Sequence, residues 1–328
     1  MTATEQERLD AITKSIADSD QMLEANEDEY VKALQSKWSE FSARLEADML
    51  KIHSAISSGD APDFTDFQRF GADKQIEGAI QKELQRLHQE VDSTRVDDLV
   101  TQYKDAYNTT AWAMDNALPP DTELKYNLPT ELQMRQFVTD DWDNMFVTRN
   151  MKEYVFLAND LKTEITRSMI QGESVTELRD RIIDIIGTED DGYRYRAERI
   201  ARTEMLGAAN RARVHIYNNN SDVVETMVWV TGAIGDGRLC FECLERSGKT
   251  RDEVEELAAE QELDVDPPVH PNCRCTWAPK LKSFKDILPD ELSQGIEDFP
   301  DAKNLKNPIM QYSDWADENL QTADRGNL

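Results

Sequence analysis

The sequence predicts a mainly α-helical protein: a helical N-terminal region followed by a small α+β module that carries a cysteine- and histidine-rich, metal-type site. Three observations lead there. Residues 4 to 57 contain neither proline nor glycine, and Leu34, Trp38, Phe41, Leu45, Met49, Ile52 and Ile56 recur at three and four, as on one narrow helical stripe. Helical patterns resume repeatedly up to about residue 218, with strand-like Glu225 to Val230 behind them. All four cysteines of the 328-residue chain lie between Cys240 and Cys275, with His270 beside the second pair.

Taken in order, the first long helix reads as a core-facing helix of a bundle, because the polar stretch from Glu24 to Glu29 interrupts any sustained coiled-coil seam. Residues 58 to 72 form a turn-rich loop, and helical spacing returns over about 73 to 116 until Leu118-Pro119-Pro120-Asp121 breaks it. An extended link runs to Pro129, and Thr130-Glu131-Leu132 caps the next helix. Further helices are predicted near 149 to 171 and 175 to 186, the latter opened by a capping box of Ser174 and Glu177. An acidic loop, Thr188 to Asp191, precedes a helix from Tyr193 to Asn218. After the strand, the turn Gly232 to Gly237 delivers Arg238 and Cys240, and an acidic helix over 251 to 262 separates the two thiol pairs. The tail from Lys280 has scattered anchors, Phe284, Ile287, Phe299, Ile309, Met310, Tyr312 and Trp315, too sparse for a core of their own. It is expected to drape over this protein or a partner. The domain reading is residues 1–120, 121–282 and 283–328.

Composition limits the functions available. With 65 acidic against 37 basic residues and a net charge of −28, the surface repels a phosphate backbone, so general coating of DNA is excluded. Such acidity suits crowded or salty surroundings. The acidic N-terminus lacks an apolar signal region, and runs such as Val155 to Ala158 or Met227 to Val230 are far too short to span a bilayer, so a soluble protein made in a cytoplasm is expected.

The cysteines carry the strongest chemical signal. Cys240 and Cys243 stand at i and i+3, as on a tight knuckle, and a proline-stiffened return brings up His270, Cys273 and Cys275. Thiolates and imidazole are the donors with which a borderline-soft cation, zinc above all, closes a tetrahedral site. Five donors compete for four places: Cys240 and Cys243 are assigned, two of the other three join them, and one is left outside. Disulfides are the alternative if the protein resides outside a reducing cytosol. Inert core cysteines would be scattered rather than gathered. A zinc deaminase does not match, since its His-x-Glu and Pro-Cys-x-x-Cys elements are missing.

Two features of the preceding helix stand out. Glu204 falls on one face with Ala197, Ile200, Ala208 and Ala212, a buried carboxylate better explained by an ion pair or hydrogen bond than by catalysis. Arg194, Arg196, Arg199 and Arg202, continuing to Arg211 and Arg213 with Tyr193 and Tyr195 interleaved, form the basic stretch of an acidic chain. It is the place for a nucleic-acid or partner contact. The net charge favours the plainer reading, in which these arginines pair with carboxylates.

Together these residues resemble the phage Mu F-type minor head proteins of the phage head morphogenesis family. The resemblance rests on Ile200-Ala201-Arg202-Thr203-Glu204, Ala208, Asn210 and Tyr217, then Trp229, Thr231, Asp236, Arg238, Cys240, Cys243 and Gly248, then His270 through Cys275. It covers about 160 to 280. The family's pattern has Asp directly before Arg, whereas Gly237 intervenes here. The resemblance implies a non-enzymatic structural protein of a tailed virus, acting in head morphogenesis at the portal vertex and in genome packaging or ejection. Its implied partners are the portal protein and the major capsid or scaffold protein, with weak or local contact to viral DNA and none to membrane. Its implied location is the virion head near the portal, and the host cytoplasm during assembly. A second reading is an enzyme, a nuclease or transferase using Arg202, Glu204 and His270 in a toxin-like module. A third is a zinc-stabilised DNA-binding module contacting DNA through Tyr193 to Arg213.

Overall fold

The computed structural model describes residues 3–56, 71–118, 122–139, 143–187, 192–232, 240–261, 264–288, 312 and 315–316. In chain order the elements are α1 (Ala3–Ile56), α2 (Ala72–Asn116), α3 (Glu131–Thr139), α4 (Asp143–Ile170), α5 (Val175–Ile186), α6 (Tyr193–Asn219), β1 (Val224–Val230), α7 (Phe241–Arg246), α8 (Arg251–Gln261), β2 (Thr276–Leu281) and α9 (Phe284–Ile287). The protein is mainly helical, as expected, with a small antiparallel sheet near the C-terminus. Among the described residues no helix is long and apolar enough to cross a membrane.

The chain divides into two compact units, each drawn from separated stretches. The first comprises residues 27–98 and 135–202. Its α1 stripe from Leu34 to Ile56 is buried throughout, as are Ile76, Ile80, Leu84, Leu87 and Val91 of α2 and Leu157, Leu161 and Ile165 of α4. Each row repeats at three and four, so each helix buries one face. Arg44 joins α1 to α2 through Glu83 at 2.7 Å and Glu90 at 3.0 Å. Burial alone would raise the Glu83 carboxyl, but hydrogen bonds from Lys82 and Arg44 hold it below the usual range. The capping box of α5 forms as expected, with Ser174 accepting from the Glu177 amide and Glu177 accepting from the Ser174 amide at 2.7 Å. Helix α4 starts six residues earlier than the apolar spacing indicated, at Asp143 rather than 149.

The second unit comprises residues 1–26, 99–134 and 203–328. Here α1 meets α2 through Asn26, whose amide donates to Gln102 at 3.2 Å and Asp105 at 2.9 Å. An aromatic cluster joins α2 to α6: Tyr103 hydroxyl and His215 Nδ1 lie 2.5 Å apart, and Tyr107 stands edge-on to His215 and to Tyr126 of the extended link. Asn220 bonds that link reciprocally at Lys125. The sheet pairs β1 with β2 in the register Val228↔Ala278, Trp229↔Trp277, Val230↔Thr276. The strand thus runs on through Leu281, one residue past the point where the sequence suggested that the tail begins. The loops at 58–70, 119–121 and 188–191, Asp236 and Arg238, and the anchors Phe299, Ile309 and Met310 lie outside the described residues.

Burial pushes the His215 imidazole below its ordinary value. In the window between the unfolded value of about 6.5 and the depressed folded one, the unfolded chain binds the extra proton, so stability falls as pH falls. Urea titrations at pH 7.5 and 5.5 should show a smaller loss of stability on acidification for His215→Gln than for the unaltered protein; equal losses would remove His215 from the account.

Candidate metal centre

Both thiol-bearing arms are clipped to the same strand. On one edge of β1, the Trp229 amide donates to Lys249 carbonyl at 2.8 Å and the Gly248 amide to Trp229 carbonyl at 2.9 Å, which fixes the segment leaving α7. On the other edge β2 pairs directly, and Cys273 and Cys275 are the residues leading into it. Trp229 and Trp277, cross-strand partners 5.1 Å apart edge-to-face, fill the space beneath, with Arg246 5.3 Å from one ring and Arg251 5.7 Å from the other. Arg251 is also bound to Asp266, which accepts the Trp277 indole hydrogen at 2.8 Å.

Local chemistry sets each ligand. Cys240 is the N-cap of α7 and its sulfur accepts the Cys243 amide at 3.3 Å, so the first helical turn presents both sulfurs to one side. His270-Pro271-Asn272-Cys273 closes a tight turn, with the Cys273 amide donating to His270 carbonyl at 3.1 Å. Asn272 there has φ 62, a conformation asparagine tolerates better than most residues, and proline before it is preset for such a turn. His270 Nδ1 faces Pro271 carbonyl at 2.8 Å. A carbonyl only accepts, so Nδ1 carries the proton and Nε2 offers its lone pair, the arrangement a metal-binding imidazole needs.

That Nε2 lies 3.1 Å from Cys240 Sγ and 2.9 Å from Cys243 Sγ, while Cys243 and Cys273 sulfurs are 3.9 Å apart. With zinc–sulfur bonds of about 2.3 Å, a tetrahedral site has sulfur–sulfur edges of about 3.8 Å and sulfur–nitrogen edges of about 3.6 Å. The donor types suit a metal such as zinc, and the Cys243–Cys273 edge matches; the imidazole would move outward, and the remaining donors would draw in, to close four of them around one ion. The five donors fall into two groups that share Cys243: Cys240, Cys243 and His270, and Cys243, Cys273 and Cys275, each within 4.8 Å. Cys243, Cys273 and Cys275 are buried and Cys240 is partly so.

Among the buried sulfurs, negative charge is favoured at Cys273 and disfavoured at Cys243 and Cys275. Hydrogen bonds from the Cys243 and Cys275 thiols, aided by the amides of Cys275 and Val269, hold Cys273 down to about 2 despite its burial. Contact with Cys273 and Cys275 pushes Cys243 up. The Cys243 contact lowers Cys275, but Cys273 and burial outweigh it and push it up to about 12, against the Gly232 amide that donates to its sulfur. The protons thus crowd around one thiolate, and a cation in their place would relieve that crowding.

Helix α6 fastens the second arm. Asn210 donates to Cys275 carbonyl at 3.1 Å and accepts from the Thr276 hydroxyl at 2.7 Å; Arg213 donates to that hydroxyl at 2.8 Å and Tyr217 to Trp277 carbonyl at 3.1 Å. These three side chains are nearly fully buried. Asn210 and Tyr217 stood out in sequence only as part of a resemblance, and the interior polar Arg213 looked like one more surface arginine. Buried polar types on an otherwise alanine-rich helix were the signal.

Residues 159–278 match the family model described as Phage Mu protein F like protein. The matched segment, similar to a phage head morphogenesis protein family, runs from α4 through the cysteine and histidine cluster into β2. No curated protein and no solved structure matches the chain.

The other residues singled out in sequence fall elsewhere. In the N-terminal part of this Mu F-like segment Arg194 pairs with Glu198 at 3.1 Å, Arg196 with Glu153 at 3.1 Å, and Arg202 with Glu27 at 2.6 Å and Asp28 at 3.6 Å. Arg199 lies 6.0 Å from the Tyr195 ring. Glu204 is buried in α6, only 3% exposed.

Gly232 lies where the chain passes over the cysteine arm: a Cβ there would overlap the Arg274 carbonyl oxygen. Gly232→Ala should therefore cost about 2 kcal/mol or more in thermal or urea unfolding, through overpacking against backbone. An alanine variant as stable as the unaltered protein would mean that this crossing is looser than described.

Proposed function

We propose that the protein is a minor head protein of a tailed phage, a structural component of head morphogenesis whose C-terminal module is clasped by zinc. The observation that carries the reading is the match of residues 159–278 to the Mu F-like family, joined to five Cys and His donors gathered in two overlapping, largely buried trios that share Cys243. Closed cysteine-rich sites are structural, whereas catalytic zinc keeps a position open to water. The proposed ligands are Cys240, Cys243, His270 and Cys273. Cys275, held by Asn210 and the Gly232 amide, stays outside them. Zinc there would tie the α7 arm to the β2 arm, and its binding energy would add to folding stability.

Several features favour a structural role over an enzyme. His270 turns its lone pair toward two sulfurs rather than toward solvent, so it is committed to the centre and does not act as a general base. Arg194, Arg196 and Arg202 are engaged by carboxylates. With a net charge of −28, contact with viral DNA is weak or local. In this reading the protein acts at the portal vertex, binds the portal protein and contacts the major capsid or scaffold protein. It is made in the host cytoplasm and stays in the head, where it serves packaging or ejection.

Co-expression with the portal protein of the same phage tests this. The two should co-purify, and the protein should be found by mass spectrometry in purified heads at far fewer copies than the major capsid protein. Absence from the particles, or metal-dependent cleavage of nucleic acid that is lost in Glu204→Gln, would replace the structural reading by the enzymatic one.

A further inference from the structure

A cavity of about 620 Å³ opens between α1, the C-terminal end of α5 and the start of α6, all within the first unit. Its volume is that of an ordinary small-ligand site, far above what a metal ion needs. Trp38, Ile183 and Ile186 give it apolar walls, and Glu46, Asp184 and Arg194 bring charge. Ile183 is left 49% exposed there. Trp38 and Glu46 precede the matched segment that begins at residue 159, so the family match does not account for this cavity.

The charges lining it are unbalanced. Arg194 is matched by Glu198 at 3.1 Å, whereas Glu46 and Asp184 form no ion pair or hydrogen bond among the described residues. Asp184 sits in the last turn of α5, which has no basic side chain of its own. Carbonyls at a helix C-terminus carry partial negative charge, so a carboxylate there costs stability unless a cation joins it. The other end of α5 obeys the capping rules through Ser174 and Glu177, which makes Asp184 the local exception, and such exceptions mark functional positions. Trp38 adds a second requirement. It is 2% exposed, its ring is held by Phe41 edge-on at 5.8 Å and by Tyr154 at 6.4 Å, and its indole N–H is buried without an acceptor. An unpaired buried donor costs free energy that an acceptor would recover.

These walls call for a cationic head, an apolar stem and an acceptor oxygen. A lysine or arginine residue within a peptide carries all three, in its charged group, its methylenes and its backbone carbonyl. We propose that this cavity binds a lysine- or arginine-bearing peptide segment of a partner protein. The cation lies between Glu46 and Asp184, the methylenes lie on Ile183 and Ile186, and a peptide carbonyl accepts from the Trp38 indole. The net charge of −28 draws basic segments to the chain, and the unpaired carboxylates select where one seats. The site uses none of the cysteines and does not depend on a metal.

Isothermal titration of the full chain at physiological salt, where diffuse surface attraction is screened, tests this. The probe is the capped peptide acetyl-Ala-Lys-Ala-amide. It should bind at one saturable site, and its norleucine counterpart, which lacks the ammonium, should bind about tenfold more weakly or worse. Glu46→Gln with Asp184→Asn should weaken the lysine peptide by about tenfold or more, while Asp252→Asn with Glu256→Gln, an equal change of charge on α8, should leave it unaltered. Asp184→Asn alone should leave the unliganded chain at least as stable to urea, because it removes a like charge from the α5 C-terminus, so that lost binding is not lost fold. Absence of saturable binding, or equal weakening by the two double variants, would overturn the site. Cadaverine, which has the stem and the cation but no carbonyl, should bind more weakly than the peptide; equal binding would reassign the cavity to a free diamine and overturn the peptide assignment.

Discussion

Everything around the cysteines depends on β1 being hydrogen-bonded on both edges. One edge takes the return from α7, at Gly248 to Thr250, and the other takes β2. Because Cys240 and Cys243 lie just before the first and Cys273 and Cys275 just before the second, pairing both segments to one strand brings the two thiol pairs together around Cys243. The Trp229–Trp277 contact adds a rigid floor, and its faces are covered by Arg246 and Arg251. A sheet of two named strands has little strength of its own. The α6 hydrogen bonds supply part of what the sheet lacks, and a metal held by the cysteines and His270 would supply more.

The acidity of the protein acts differently in different places. On the first unit it gives arginines a choice of nearby carboxylates, so Arg44, Arg181, Arg194, Arg196 and Arg202 all form ion pairs. Exposed pairs of this kind contribute little each, about 0.2–1 kcal/mol, and their main effect is to remove free cations from the surface. At the metal centre the sign of the requirement reverses. Thiolates need positive potential, and the α7 N-terminus together with the amides of Gly232, Val269, Cys243 and Cys275 provides it through backbone rather than side-chain charge.

The long helices were legible in sequence because their signal is local: freedom from proline and glycine, a three-and-four repeat, and a capping box at Ser174 and Glu177. The stripe from Leu34 to Ile56 is buried as read. Strand β2 was not legible, since Thr276 to Leu281 carries Pro279 and does not alternate; the proline is tolerated because the strand lies on the edge of a two-stranded sheet. Helix α7 has only six residues, too few for a period to show. Of the centre, the donor types and their spacing were visible. The roles of Gly232, Asn272, Asn210 and Tyr217 were not, because each depends on a neighbour brought close by folding or on a backbone angle.

The central claim is that this centre holds zinc as a structural clasp. Elemental analysis of the purified protein combined with thiol titration, with and without denaturant, tests it most directly. The account predicts one zinc per chain, with Cys240, Cys243 and Cys273 unreactive until the metal is removed. No bound metal and freely reactive thiols in the folded protein, or two disulfides, would contradict it.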